Sequence, residues 1–292
     1  MTRLQAMSPY NYKRTIKSDV SDELVNTWLL RPVAGVIVWI LYPTSVTPNQ
    51  VTIASTIVGL IAACFYLPGT APSTAIAGLL VTLKDILDSA DGQLARAKQQ
   101  YSRIGRFLDS IGDFVVNLAL FSAIGWVLYE STGDVIMLIL AFAGLAGISL
   151  RVSYHVYYLA SFLHLEDKYR NNRITEEMTE EDLRGTPLTI LLQRVFLFIY
   201  GWQDRLMLRI DQWCAGGQSG QEFDRRWYSD VVGLRLSGLV GIGSELFLLM
   251  LCSLFNSLQT YLFLNLFLMN SIVIVSILYR RLILSSTLSS KG

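Results

Sequence analysis

Six stretches keep apolar residues running for about 20 positions or more, the length of helix that crosses a hydrocarbon core of roughly 30 Å. They are residues 48–67, 74–98, 102–129, 135–163, 231–255 and 258–284. The linkers 68–73, 130–134 and 256–257 contain no Lys or Arg. The opposite connections carry nearly all of them: Arg3, Lys13, Arg14 and Lys17; Arg96, Lys98, Arg103 and Arg106; Lys168, Arg170, Arg173 and Arg184; Arg280 and Arg281. By the positive-inside rule both termini and these turns face the cytoplasm. The polar, basic start has no apolar h-region, so no cleavable signal peptide is expected.

Two further apolar stretches do not read as spans. Residues 26–42 contain Arg31 and Pro32 and end at Pro43, which predicts a helix in the interface with Trp28 and Trp39 at headgroup depth. Residues 188–202 are too short and are interrupted by Gln193 and Arg194; inserting them would place Arg280 and Arg281 outside. The doubly charged stretch 164–185 reads as a solvated surface. The expected fold is all-α, a polytopic membrane protein of six transmembrane helices. Its expected parts are a cytoplasmic N-terminus with an interfacial helix (1–47), helices one to four (48–163), a cytoplasmic or interfacial insertion (164–230), and helices five and six with a short tail (231–292).

Composition agrees: 52% hydrophobic, mean hydropathy +0.42, and 16% charged against roughly a quarter in soluble domains. A net charge of +1 leaves no electrostatic footprint for nucleic acid. Cys64, Cys214 and Cys252 are too few and too scattered for a disulfide framework or a zinc site.

Against this apolar background the acids stand out, because each costs about 2.5 to 3.5 kcal/mol at mid-span on insertion scales. The second span ends LKDILDSADGQLARAK and the third opens on the run YSRIGRFLDSIGDFVVN. Asp88 and Asp91 are three apart and Asp109 and Asp113 four apart, so each pair shares one helix face near the cytoplasmic turn. Facing carboxylates repel, so cations must compensate, and hard oxygen ligands suit Mg²⁺, Mn²⁺ or Ca²⁺. Two divalent ions here would hold a diphosphate and neutralise a leaving phosphate. Gly92, Ala95 and Gly105 leave room for a ligand, and Arg96 offers a fork for phosphate.

The run Asp88, Asp91, Gly92, Ala95, Arg96, Gly105, Asp109, Asp113 resembles the signature of the CDP-alcohol phosphotransferases. The upstream YPTSVTPNQVT and the six-span layout extend the resemblance. It implies two Mg²⁺ or Mn²⁺ ions on Asp88, Asp91, Asp109 and Asp113, with Asp113 also the general base. It implies CDP contacts from Asp88, Gly92, Ala95 and Arg96, with Gly105 on the facing helix and Asn49 and Thr52 near the nucleotide. The implied reaction is attack of an acceptor hydroxyl on the β-phosphorus of a CDP-alcohol, releasing CMP. A homodimer in the membrane, the inner membrane in a bacterium, is also implied by the family.

Two donor arrangements stay open: CDP-diacylglycerol with a small polar acceptor such as inositol phosphate, glycerol phosphate or serine, which is favoured, or a soluble CDP-alcohol with a lipid hydroxyl. Outside the family, an intramembrane prenyltransferase would release pyrophosphate and an ion transporter would show repeated halves. Arg151 lies ~18 Å of helix from the cytoplasmic side, at the depth of Asp85. It reads either as a hook for an anionic acceptor or as the partner of Asp85 or Glu245, while Asp85 itself pairs with Lys84 or Arg151 or reads acceptor hydroxyls. Lys84 and Arg235 read as snorkelling cations, and Tyr154 to Tyr158 as interface belt.

Overall fold

The computed structural model describes residues 11–12, 25–166, 176–180 and 182–289, and all regular structure among them is helical. Arg3, Lys13, Arg14, Lys17, Lys168, Arg170 and Arg173, used above to orient the chain, lie outside the described residues. A π-helical turn, Asn26–Leu30, leads into α1 (Arg31–Leu41). The long helices α2 (Pro48–Tyr66), α3 (Ala71–Lys98), α4 (Arg103–Thr132) and α5 (Ile136–Leu165) follow. After α6 (Pro187–Ala215) and α7 (Gln221–Tyr228) come α8 (Val231–Gly238), α9 (Ile242–Leu254) and α10 (Leu258–Leu288).

Five helical segments are long and apolar enough to cross a membrane: α2, α4, α5, the α8–α9 pair and α10. α3, expected as a sixth span, falls outside that set: it is 28 residues or about 42 Å long and carries the acids.

Local chemistry sets the ends. Thr47 and Gln50 form a reciprocal capping box ahead of Pro48, which suits the first turn. Ser102 and Thr186 cap α4 and α6, and Gly133 and Gly216 end them in the left-handed conformation. The turn 99–102 is short, so α3 and α4 return antiparallel with their acids at one end. α2 packs on both, α9 packs on α3, and α4 packs on α5. At Gly78 a Cβ would lie 2.6 Å from the Cβ of Ser253, so only glycine allows α3 and α9 this close.

Ala34 and Val38 of α1 pack with Ala90 and Leu94 of α3, while Trp28 and Trp39 face outward at 80% and 63% exposure. The expected single helix over 231–255 is broken at 239–241. α10 contains two π-helical turns, Leu264–Met269 and Tyr279–Leu284, and these bring Asn265 and Arg280 into the interior. α6, which was expected as a 15-residue apolar patch, is 29 residues long and lies against α4 and α5.

Candidate metal and phosphate site

Helical spacing builds the site. Lys84, Asp88 and Asp91 recur along one side of α3, and Asp109 and Asp113 face them from α4. Carboxylate oxygens of Asp88, Asp91 and Asp109 come within 4.8 Å of one another. The Oδ1 of Asp109 is buried with no hydrogen-bond partner among the described residues, an orphaned acceptor in a cluster of hard oxygens. That donor set fits Mg²⁺ or Mn²⁺. The hydroxyl of Thr52 on α2 donates to Asp91 at 2.5 Å, so α2 orients one member of the group.

Asp113 stands apart from that trio. Its carboxylate is ion-paired with Lys84, whose ammonium also lies 3.6 Å from Asp88. Lys84 is thus a buried counter-ion of the cluster and does not snorkel. Its i, i+4 spacing to Asp88 was the available signal. Asp85 is buried on α3, and Arg151 is not its partner.

Gly92, Ala95, Arg96 and Gly105, expected around a nucleotide, sit between the acids and the turn that joins α3 to α4. Gly92 and Ala95 are half-buried, and a Cβ at Gly92 would lie 3.4 Å from the Arg96 guanidinium. A Cβ at Gly105 would come within 2.5 Å of the Asn49 side-chain oxygen, so glycine lets α2 and α4 meet here. Lys98 donates to the carbonyls of Thr44 and Val46 at 2.8 and 2.7 Å, fixing the loop that leads into Pro48 and Asn49.

Beyond Asp109 and Asp113 a cavity of about 340 Å³ opens between α4, α5 and α6. Its wall includes Arg106, Ser153, His155, Glu176, Tyr200 and Asp204. α6 is held there by Tyr200, which donates to the Ser110 carbonyl at 2.8 Å, and by Ser153, which donates to Gln203 at 2.8 Å. Burial pushes the Asp204 carboxyl up to about 6, against the lowering effect of a backbone hydrogen bond from Glu176 and of Arg106.

Within the stretch read as a solvated surface, Glu176 instead lines this wall. Glu176 and Asp182 are buried. Glu176 takes Arg103 at 2.8 Å and Arg106 at 2.5 Å, and Asp182 is ion-paired with Arg103. These pairs join positions 70 to 79 residues apart, and no local pattern signals them.

Arg151 is fully buried on α5. It pairs with Glu245 at 2.9 Å and donates to Asn270 at 2.6 Å and to the Asn265 carbonyl at 3.1 Å. Of the two readings of Arg151, the ion pair with Glu245 is the contact observed. Tyr154, Tyr157 and Tyr158 are core residues, not belt: the Arg280 guanidinium lies 3.6 Å from the Tyr158 ring centre, and Tyr157 donates to Asp211 of α6 at 3.2 Å.

The CDP-alcohol phosphatidyltransferase family pattern matches residues 45–216, more than half of the chain. A bifunctional IPC transferase and DIPP synthase of Thermococcus kodakarensis is 33% identical over 141 residues, 48% of this chain and 31% of that protein. A protein of the same description from Archaeoglobus fulgidus is 41% identical over 95 residues, 32% of this chain and 18% of its own length. An archaetidylinositol phosphate synthase of Pyrococcus horikoshii is 41% identical over 69 residues, 23% of this chain and 35% of its own. The chain thus spans about a third or less of the length of each of these relatives.

Proposed function

The chain belongs to the CDP-alcohol phosphatidyltransferase family, and from that premise we propose that it transfers a phosphatidyl group from CDP-diacylglycerol to a small phosphorylated polyol of the inositol phosphate kind. CMP is the second product. The observation that carries this reading is the convergence of Asp88, Asp91 and Asp109 beside an Asp113 held by Lys84, at the edge of a cavity. Support for the acceptor class comes from the relative named for inositol phosphate and from the arginines at the cavity rim.

In the proposed mechanism Asp88, Asp91, Asp109 and Asp113 hold two divalent cations, Mg²⁺ or Mn²⁺. Such ions, when bound, supply charge neutralisation for the diphosphate and the departing phosphate. Gly92 and Ala95 leave space for the CDP moiety, Arg96 binds its phosphate, and Asn49, Thr52 and Gly105 shape the nucleotide side. The acceptor enters the cavity between α4, α5 and α6. Asp113 takes the proton of the acceptor hydroxyl as its oxygen forms a bond to the β-phosphorus and the bridging phosphoanhydride bond breaks. Lys84 positions that carboxylate. The site opens to the cytoplasm, and the working unit is a homodimer.

The test is CMP release by purified protein with Mg²⁺ or Mn²⁺, CDP-diacylglycerol and a phosphorylated polyol, with Asp113→Asn as control. Metal-dependent CMP that requires the acceptor and disappears in the variant supports the proposal. CMP formed only from a soluble CDP-alcohol and a lipid hydroxyl would replace the donor assignment, and pyrophosphate release would replace the reaction.

A further inference from the structure

Arg103 and Arg106 lie in the first turn of α4, and Arg106 stands three residues before Asp109 on the same helix face. Arg106 lines the cavity together with Asp109 and Asp113. Both guanidinium groups are turned onto one carboxylate: Glu176 Oε1 accepts from Arg103 at 2.8 Å and Oε2 accepts from Arg106 at 2.5 Å. The Gln193 amide adds a third donor to Oε1 at 3.1 Å. Two guanidiniums and an amide converging on separate oxygens of one anion make an oxyanion cradle, and a phosphate presents the same oxygens with more charge. The cradle therefore contains an intramolecular anion at the wall of the catalytic cavity.

We infer that Arg103, Arg106 and Gln193 form the site for the phosphate of the phosphorylated acceptor, and that Glu176 is its resident occupant, displaced as that phosphate enters. The inference rests on the transferase reading and names the part of the site that selects the acceptor. A phosphate monoester carries about −1.5 to −2 charge at pH 7, against −1 for the carboxylate, so exchange on the same two cations favours the substrate. The segment need not come away with Glu176. Asp182 keeps its own ties, to Arg103, to Gln193 at 3.1 Å and to the backbone N–H of Thr179 at 3.0 Å. Placed three residues before Asp109, the cradle holds the acceptor phosphate at the rim while the polyol ring extends toward Asp113.

The experiment uses the full chain in nanodiscs. In CMP-release assays with myo-inositol phosphate, Glu176→Gln should lower the KM for that acceptor about five- to tenfold by removing the competing charge, and Arg106→Gln should raise it by tenfold or more. The KM for CDP-diacylglycerol should move with neither. Independently of turnover, hydrogen exchange across 176–180 should accelerate on adding myo-inositol phosphate or inorganic phosphate, and not on adding myo-inositol or CDP. An unchanged or raised acceptor KM in Glu176→Gln would show a purely structural tie and overturn the inference. So would a shift confined to the KM of the CDP donor, which would place the donor phosphate here. Absence of CMP from the parent protein would instead defeat the transferase reading, and the exchange arm would still decide the anion site.

Discussion

Lys84 is the only cation paired with the acids of the cluster among the described residues, so Lys84→Met is the most direct perturbation of its electrostatics. The ammonium is almost wholly buried and lies 3.6 Å from Asp88. At an effective dielectric constant of about 20, that pair alone is worth roughly 4 to 5 kcal/mol before desolvation. Removing one partner of a buried pair costs about 3 to 5 kcal/mol, because the other charges stay behind unpaired. Methionine keeps the length and volume of the side chain, so the cavity term is small. The variant should therefore unfold far more easily than the parent in chelator, a large fraction of a stability of about 5 to 15 kcal/mol. Divalent metal should restore more of that loss than it adds to the parent, since an ion at 100 times its Kd contributes about 2.7 kcal/mol and here replaces a missing charge. The assay is thermal unfolding in detergent with EDTA, then with Mn²⁺, for both proteins. Equal stability in EDTA, or an equal Mn²⁺ shift in both, would refute the view of Lys84 as the counter-ion of the cluster.

Gly105→Ala sets a methyl 2.5 Å from the Asn49 oxygen and 2.9 Å from the capping Ser102 hydroxyl; it should cost about 1 kcal/mol of stability and raise the KM for the CDP donor, read by CMP release. Asp204 has its carboxyl pushed up to about 6 by burial, so its contribution favours the fold at low pH and is lost as pH rises through about 6. Asp204→Asn should therefore raise the melting temperature most at pH 8 and less at pH 5, and leave it nearly unchanged only below about pH 4, where the unfolded carboxyl is protonated too. Glu245→Gln strands the buried Arg151 and should cost about 3 to 5 kcal/mol in a thermal melt. Arg151→Met combined with Glu245→Leu should recover most of it; if the pair serves the bundle alone, CMP release in that double variant is retained.

The spans and the acid cluster were legible in the sequence because each depends on local periodicity. Carboxylates at i, i+3 and i, i+4 on two helices joined by a four-residue turn have few ways to avoid one another. Lys84 was misread for an instructive reason. Snorkelling is the default for a lone lysine in an apolar helix, but one turn from Asp88 its head finds a partner without leaving the interior. Tyr154, Tyr157 and Tyr158 were misread because a belt residue and a core residue have the same sequence. What decides is Arg280, delivered by a π-helical turn more than 120 positions away. Glu176 was invisible in a stretch dense in both charges, since only the fold shows which acid meets Arg106.

The α6 segment and the strand of chain before it change how the reaction centre is bounded. Asp109 and Asp113 of α4 line a cavity whose open side, between α4 and α5, is bounded by α6. The Tyr200, Gln203 and Asp211 contacts seal that side, and Glu176 seals the rim. Charge follows the same division. Between α3 and α4, among the described residues, four carboxylates face a single lysine, a deficit that suits divalent cations and a diphosphate. At the rim two arginines face two carboxylates, and a phosphate dianion that displaces Glu176 while Asp182 stays on Arg103 adds one negative charge to them. On this proposal the donor side depends on residues of the family's motif, whereas the acceptor site joins Arg103 and Arg106, inside the span of that motif, to Glu176 and Gln193 far outside it. Relatives that share the motif but differ over residues 176–215 should share the chemistry and differ in the alcohol they take.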